Sequence, residues 1–71
     1  MSKNTHIIKD FGKTLKDIRL KQGLSQGKLA KKLGVHPTYI SSFERGIRNP
    51  SLKVIERLAQ ALDMPIRNFF K

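Results

Sequence analysis

The chain has 71 residues, of which 38% are hydrophobic, enough for one domain with a core of about a dozen side chains and too few to enclose a large substrate pocket. It has no cysteine, which excludes disulfides and thiolate metal sites. Fifteen Lys and Arg against five Asp and Glu give a formal charge of +10, a field that favours a polyanion, either nucleic acid or an anionic surface.

Residues 1–9 carry little periodicity and read as a loose, basic N-terminal arm, with residues 10–71 as the folded domain. Ile7-Ile8 and Phe69-Phe70 are the longest apolar runs, so neither a membrane span nor a secretory segment is expected and the default location is cytoplasmic. A first helix is predicted from about Asp10 to Gln22, with Phe11, Leu15 and Ile18 on one stripe and Gly23 as its stop. Ser25 can cap the next helix, while Leu24 and Leu29 sit where a hydrophobic staple would clasp its entry. Leu29, Ala30 and Leu33 share one face of that helix, and Gly34, just past the last apolar position, can take the left-handed conformation that ends it. Pro37 suits the first position of a third helix, because the N–H it lacks would be unpaired there. Val35 and Ile40 repeat the staple pattern.

Asn49-Pro50-Ser51 breaks the chain again. Ser51 is the expected cap of a fourth helix, where Leu52, Ile55, Leu58, Ala59 and Leu62 recur at helical spacing until Asp63 or Met64. Pro65 can open a short last helix carrying Ile66, Phe69 and Phe70. No strand signal competes, and the fold class is all-α. Two short helices joined by a tight glycine turn in a basic chain have the layout of a helix-turn-helix. From Arg19 to Arg48 there are seven basic residues against Glu44 alone, which makes nucleic acid the favoured polyanion.

These residues resemble the phage repressor and Cro type of helix-turn-helix protein, the XRE family. The resemblance runs from about Phe11 to Phe70. It rests on Ile18-Arg19, GLSQ at 23–26, LA at 29–30, LG at 33–34, Tyr39-Ile40-Ser41, ERG at 44–46, NPSL at 49–52 and AQAL at 59–62, all in order at family spacing. It implies a five-helix, lambda-repressor-like domain whose third helix, at about 37–45, lies in the DNA major groove. It also implies an ion pair between Arg19 and Glu44, partly out of water, and a backbone contact from Gln26, at a helix N-terminus where free N–H groups accept phosphate.

A helical wheel, at about 100° per residue, tests which side of the third helix is free. Ile40, Phe43 and Glu44 cluster on one side; Thr38, Ser41, Ser42 and Arg45 lie opposite, with Tyr39 on a flank. Readers of this kind contact bases from the N-terminal half of the helix, which makes Pro37, Thr38 and Ser42 the expected base-edge positions. Arg45, the only long donor on that face, is weighted toward phosphate. Arg48 and Asn49, in the following loop, are expected phosphate contacts. Lys3, Lys9 and Lys13 are weaker candidates, and Lys28 and Lys31 face solvent.

Helix four carries Val54 and Ala61 on a second face, seven residues apart. With Ile66, Phe69 and Phe70 they form the expected surface of a symmetric homodimer, which would set two recognition helices one DNA turn apart. The leading expectation is therefore a transcriptional regulator that occupies a palindromic operator as a dimer. Stand-alone regulators of the family include phage repressors and the controller proteins of restriction–modification systems, the favoured subclass. The alternative is an antitoxin or coactivator-type module whose main partner is another protein, such as a toxin; an activator would also touch RNA polymerase. An enzyme is not expected: His6 and His36 are the only histidines, and no acid–base couple, metal cluster or cofactor motif is found.

Overall fold

Helix α1 (Lys3–Lys21) starts earlier than the apolar pattern predicts. A computed structural model describes residues 3–70, and in it residues 3–9, expected as a loose arm, form the first turns of this helix. Nothing between Lys3 and Phe11 breaks a helix. Half-buried Ile8 also extends the stripe of buried Phe11 and Leu15 by one turn. Residues 1 and 2 of the expected arm lie outside the described residues.

Helix α2 (Gln26–Leu33) and helix α3 (Pro37–Glu44) form the central pair, followed by α4 (Leu52–Ala61) and a single 3-10 turn at Ile66–Phe69. The fold is thus all-α with four α-helices and no strand among the described residues; the fifth expected helix is a 3-10 turn. The caps explain the boundaries. Ser25 Oγ accepts the Lys28 N–H at 3.0 Å, Ser51 Oγ accepts that of Val54 at 3.1 Å, and His36 Nδ1 accepts that of Thr38 at 3.2 Å. Each satisfies a backbone donor left free in the first turn. Gly34, at φ 73°, ends α2 in the left-handed conformation. Helix α4 ends earlier than expected, with Asp63 taking the left-handed position (φ 55°) and the Met64 N–H reaching back to the Ala59 carbonyl at 3.0 Å.

Every element contributes to one core. Leu15, Leu29, Ile40, Phe43, Leu58 and Leu62 are its fully buried large side chains, and Ala30 and Ala59 are buried in the same cluster. Phe11 is the aromatic hub, edge-on to Phe43 at 6.2 Å between centroids and tilted against Phe69 at 5.1 Å. Leu52, placed by its spacing on the core stripe of α4, is instead 69% exposed, and the core side of the helix begins at Val54 and Ile55. Two long-range side-chain caps complete the frame. Arg57 donates to the Leu33 carbonyl at the end of α2, at 2.5 Å, and Gln22 donates to the Leu62 carbonyl at the end of α4, at 2.7 Å.

Where α1 crosses α3, the residue between the two backbones is Gly12. A Cβ there would overlap the Phe43 carbonyl oxygen and sit 2.9 Å from that of Glu44. Helix α3 is therefore seated directly on α1, and its outer face is set by that contact.

Candidate nucleic-acid interface

The orientation of α3 is fixed by a polar cluster at its C-terminal end. Arg19 reaches from α1 and grips the Glu44 carboxylate with two bonds, Nε to Oε2 at 2.6 Å and Nη2 to Oε1 at 2.9 Å. Its Nη1 donates to the Leu24 carbonyl at 2.8 Å. The two side chains are only 7% and 3% exposed, so this is a buried, two-bond pair with its neighbouring donors and acceptors satisfied. The hydrogen bond to Glu44 raises the Arg19 pKa above its ordinary value, against the lowering effect of burial; the Glu44 charge adds a smaller rise.

Gln26 belongs to the same cluster, which sequence reasoning missed. Its Nε2 donates to Glu44 Oε1 at 3.0 Å, tying the first residue of α2 to the last of α3. The amide keeps one N–H, at a helix N-terminus where Ser25 Oγ already takes the backbone N–H of Lys28. The signal in the sequence was the amide at the position that opens α2, but its partner depended on the crossing of the two helices.

On the outer side of α3, Pro37, Thr38 and Arg45 are exposed, and Ser41 and Tyr39 are half-buried. The Thr38 hydroxyl lies 2.9 Å from His36 Nδ1, so the cap residue also orients it. Arg45 caps α3, its guanidinium only loosely tethered to the Ser41 carbonyl at 3.4 Å. Ser42 departs from expectation. It is 7% exposed, donates to the Tyr39 carbonyl at 2.7 Å and accepts Arg48 Nε at 3.0 Å. Its place on the polar side of the wheel is covered by the loop that brings Arg48 back over α3, so it offers nothing to a base edge.

Arg48 and Asn49 are both exposed on that loop. The Arg48 guanidinium lies over the Tyr39 ring, 5.1 Å from its centroid, and Tyr39 in turn stands edge-on to Phe43 at 4.8 Å. Lys9 lies beside the same loop. A Cβ on Gly46 would come within 2.8 Å of Lys9 Cγ, so the first turns of α1 pack directly against Gly46. Lys28 and Lys31 are exposed on α2; the Lys3 side chain lies outside what is described.

Of the expected dimer residues, Phe69 is buried at 5% exposure against Phe11 and is part of the monomer core. Phe70 points the other way at 56% exposure. Val54, Ala61 and Ile66 are half-buried against the core. No group of His, Asp or Glu among the described residues is arranged to hold a metal, and no helix is long and apolar enough to cross a membrane.

Residues 15–69 match the helix-turn-helix family model HTH_3. The chain belongs to the helix-turn-helix family. Among relatives of this helix-turn-helix protein, the control protein C.BamHI of Bacillus amyloliquefaciens is 46% identical over 63 residues, covering 87% of this chain and 75% of C.BamHI. The transcriptional regulator SinR of Bacillus subtilis is 38% identical over 57 residues, 79% of this chain but only 51% of SinR. Among solved structures, the restriction–modification controller protein C.AhdI of Aeromonas hydrophila superposes with a TM-score of 0.85 at 43% identity, covering 89% of this chain and 96% of C.AhdI. A second controller protein, C.Esp1396I, was crystallised as a tetramer on its natural 35 base-pair operator. It superposes with a TM-score of 0.82 at 34% identity, covering 90% of this chain and 84% of that one.

Proposed function

We propose that the chain is a sequence-specific, DNA-binding transcriptional regulator of the controller-protein type, working in the cytoplasm as a homodimer on a palindromic operator. The observation that carries the reading is the α2–α3 pair itself, held rigid from behind by Arg19, Glu44 and Gln26 while Pro37, Thr38, Ser41 and Arg45 remain on the free face. An exposed helix face of this width fits the major groove, and the flanking cations fit the two phosphate backbones.

Within this reading Pro37 and Thr38 approach base edges near the helix N-terminus, through methylene and methyl contacts with thymine and one hydroxyl. Ser41 and Tyr39 line the same approach. Gln26 and the N-terminus of α2 take one phosphate; Arg45, Arg48 and Asn49 take phosphates on the other side. Such a surface holds few long donors for bases, so DNA deformability carries part of the specificity. The dimer forms through the α4 and C-terminal face. Exposed Phe70 and Ile7 line one shallow groove of about 830 Å³ with Phe11 and Ile55, a surface that a second subunit would cover. The C.Esp1396I tetramer on its operator supports an assembly of more than one subunit on DNA. The family match and the control-protein relative make the reading that of a regulator rather than an enzyme.

The experiment is selection of bound sequences from a random duplex pool, followed by titration at several salt concentrations. The expected result is a palindrome with half-sites about one helical turn apart, bound at least about 10³-fold above random DNA. Salt-dependent binding with no enriched sequence would overturn the reading.

A further inference from the structure

Arg48 is held before any DNA arrives. Its Nε donates to Ser42 Oγ at 3.0 Å, and its guanidinium lies 5.1 Å from the centroid of the Tyr39 ring. Ser42 is itself fixed: 7% exposed and donating its proton to the Tyr39 carbonyl at 2.7 Å, it can act toward Arg48 only as an acceptor. Tyr39 is braced at 4.8 Å by buried Phe43. One edge of the guanidinium is thus occupied, its plane is backed by an aromatic face, and the Nη1–Nη2 edge remains open on an exposed residue.

We infer that Ser42 and Tyr39 are positioning residues that act through Arg48, presetting its open edge to take a phosphate of the duplex in bidentate fashion. The inference rests on the DNA-binding reading above and deepens it: a polar side chain in the recognition helix serves affinity without touching DNA. An arginine free in solution loses much of its rotamer freedom on gripping a phosphate, and an arginine already held loses less. The hydroxyl also selects orientation, because only Nε of the guanidinium reaches it.

The test is a double-mutant cycle in DNA affinity, using duplex enriched by the selection and a scrambled duplex of equal length. Ser42→Ala keeps the size of the residue and the helix bonds of the backbone, and thermal unfolding shows whether it remains folded at the assay temperature. Expected are an affinity about three- to tenfold weaker on both duplexes and, for Arg48→Ala, a log–log salt slope smaller by about one. The deciding result is that Ser42→Ala has no further effect once Arg48 is alanine. An equal Ser42→Ala loss with and without Arg48 would overturn the proposal, because Ser42 would then act on the DNA or the fold directly. A loss confined to the enriched duplex would also overturn it, since Arg48 would then be reading a base. Wild-type protein that enriches no sequence would remove the underlying reading, whereas additive losses in a protein that does bind its operator would remove this inference alone.

Discussion

Replacing Arg19 by alanine tests how the helix pair is held in place. The guanidinium makes two bonds to Glu44, at 2.6 and 2.9 Å, and one to the Leu24 carbonyl at 2.8 Å. Both charged side chains are almost wholly out of water. Truncation leaves the Glu44 carboxylate with the Gln26 amide alone, at 3.0 Å. Breaking a buried pair from one side costs about 3–5 kcal/mol, because the stranded charge is far from solvent. A domain of this length has roughly 4–11 kcal/mol of stability in total, so the variant should be barely folded, its thermal midpoint lowered by roughly 12 °C or more.

Urea unfolding followed by helical circular dichroism gives the measurement, with the midpoint expected to fall by at least about 1 M at unchanged slope. The double variant Arg19→Met with Glu44→Leu strands no charge and should recover most of the loss. The pH dependence has a definite sign. The Arg19 pKa is raised on folding, so its contribution is fully present below the unfolded value and is lost only as pH climbs through the higher folded one. The difference between wild type and Arg19→Ala should therefore stay flat from neutral to moderately alkaline pH. A variant with the wild-type midpoint would refute the reasoning, since a carboxylate released into water costs almost nothing.

Gly12→Ala, at an exposed site in a helix, would gain about 1 kcal/mol from helix propensity; here the methyl meets the carbonyls of Phe43 and Glu44, and a net loss of about 1–3 kcal/mol is expected in thermal unfolding. Asp63→Gly relieves the left-handed conformation at φ 55° and removes a carboxylate from the end of α4, so the melting temperature should rise by the equivalent of about 0.5–1 kcal/mol. The two adjacent phenylalanines should separate cleanly. Phe69→Ala, in the core, should lose about 3–5 kcal/mol, while Phe70→Ala should leave unfolding within about 0.5 kcal/mol of wild type and lower the dimer fraction in sedimentation.

The parts of the fold legible in the sequence are those governed by local chemistry. Ser25 and Ser51 cap because a hydroxyl at that position has a backbone donor within reach, and the stripes on α2 and α4 follow from 3.6 residues per turn. The inward side of α3 was readable for the same reason, which put Glu44 on the side that faces α1. What was not legible depends on segments far apart in the chain. Gly12 reads as a weak spot in a helix until α3 is laid against it. Before Phe11 the stripe of α1 is carried by Ile8 alone, too little periodicity for the sequence pattern to start earlier. Ser42 looks free on a wheel, and only the returning loop with Arg48 buries it. Phe69 and Phe70 are indistinguishable by composition; the 3-10 turn decides which of them meets Phe11.

The cluster of Arg19, Glu44 and Gln26 has a consequence for how such a protein can change its target. All of its bonds run inward, between the ends of α2 and α3 and the body of α1, whereas the Thr38 hydroxyl bonds only with the neighbouring His36 cap and Arg45 hangs free of the core. Substitutions at Thr38, Ser41 and Arg45 therefore leave the scaffold's stability nearly untouched, within the range usual for surface positions. Under the DNA-binding function proposed above, frame and vocabulary are separable: a lineage can drift from one operator to another by exchanging a few outward side chains, with no compensating change in the residues that hold the helix in place.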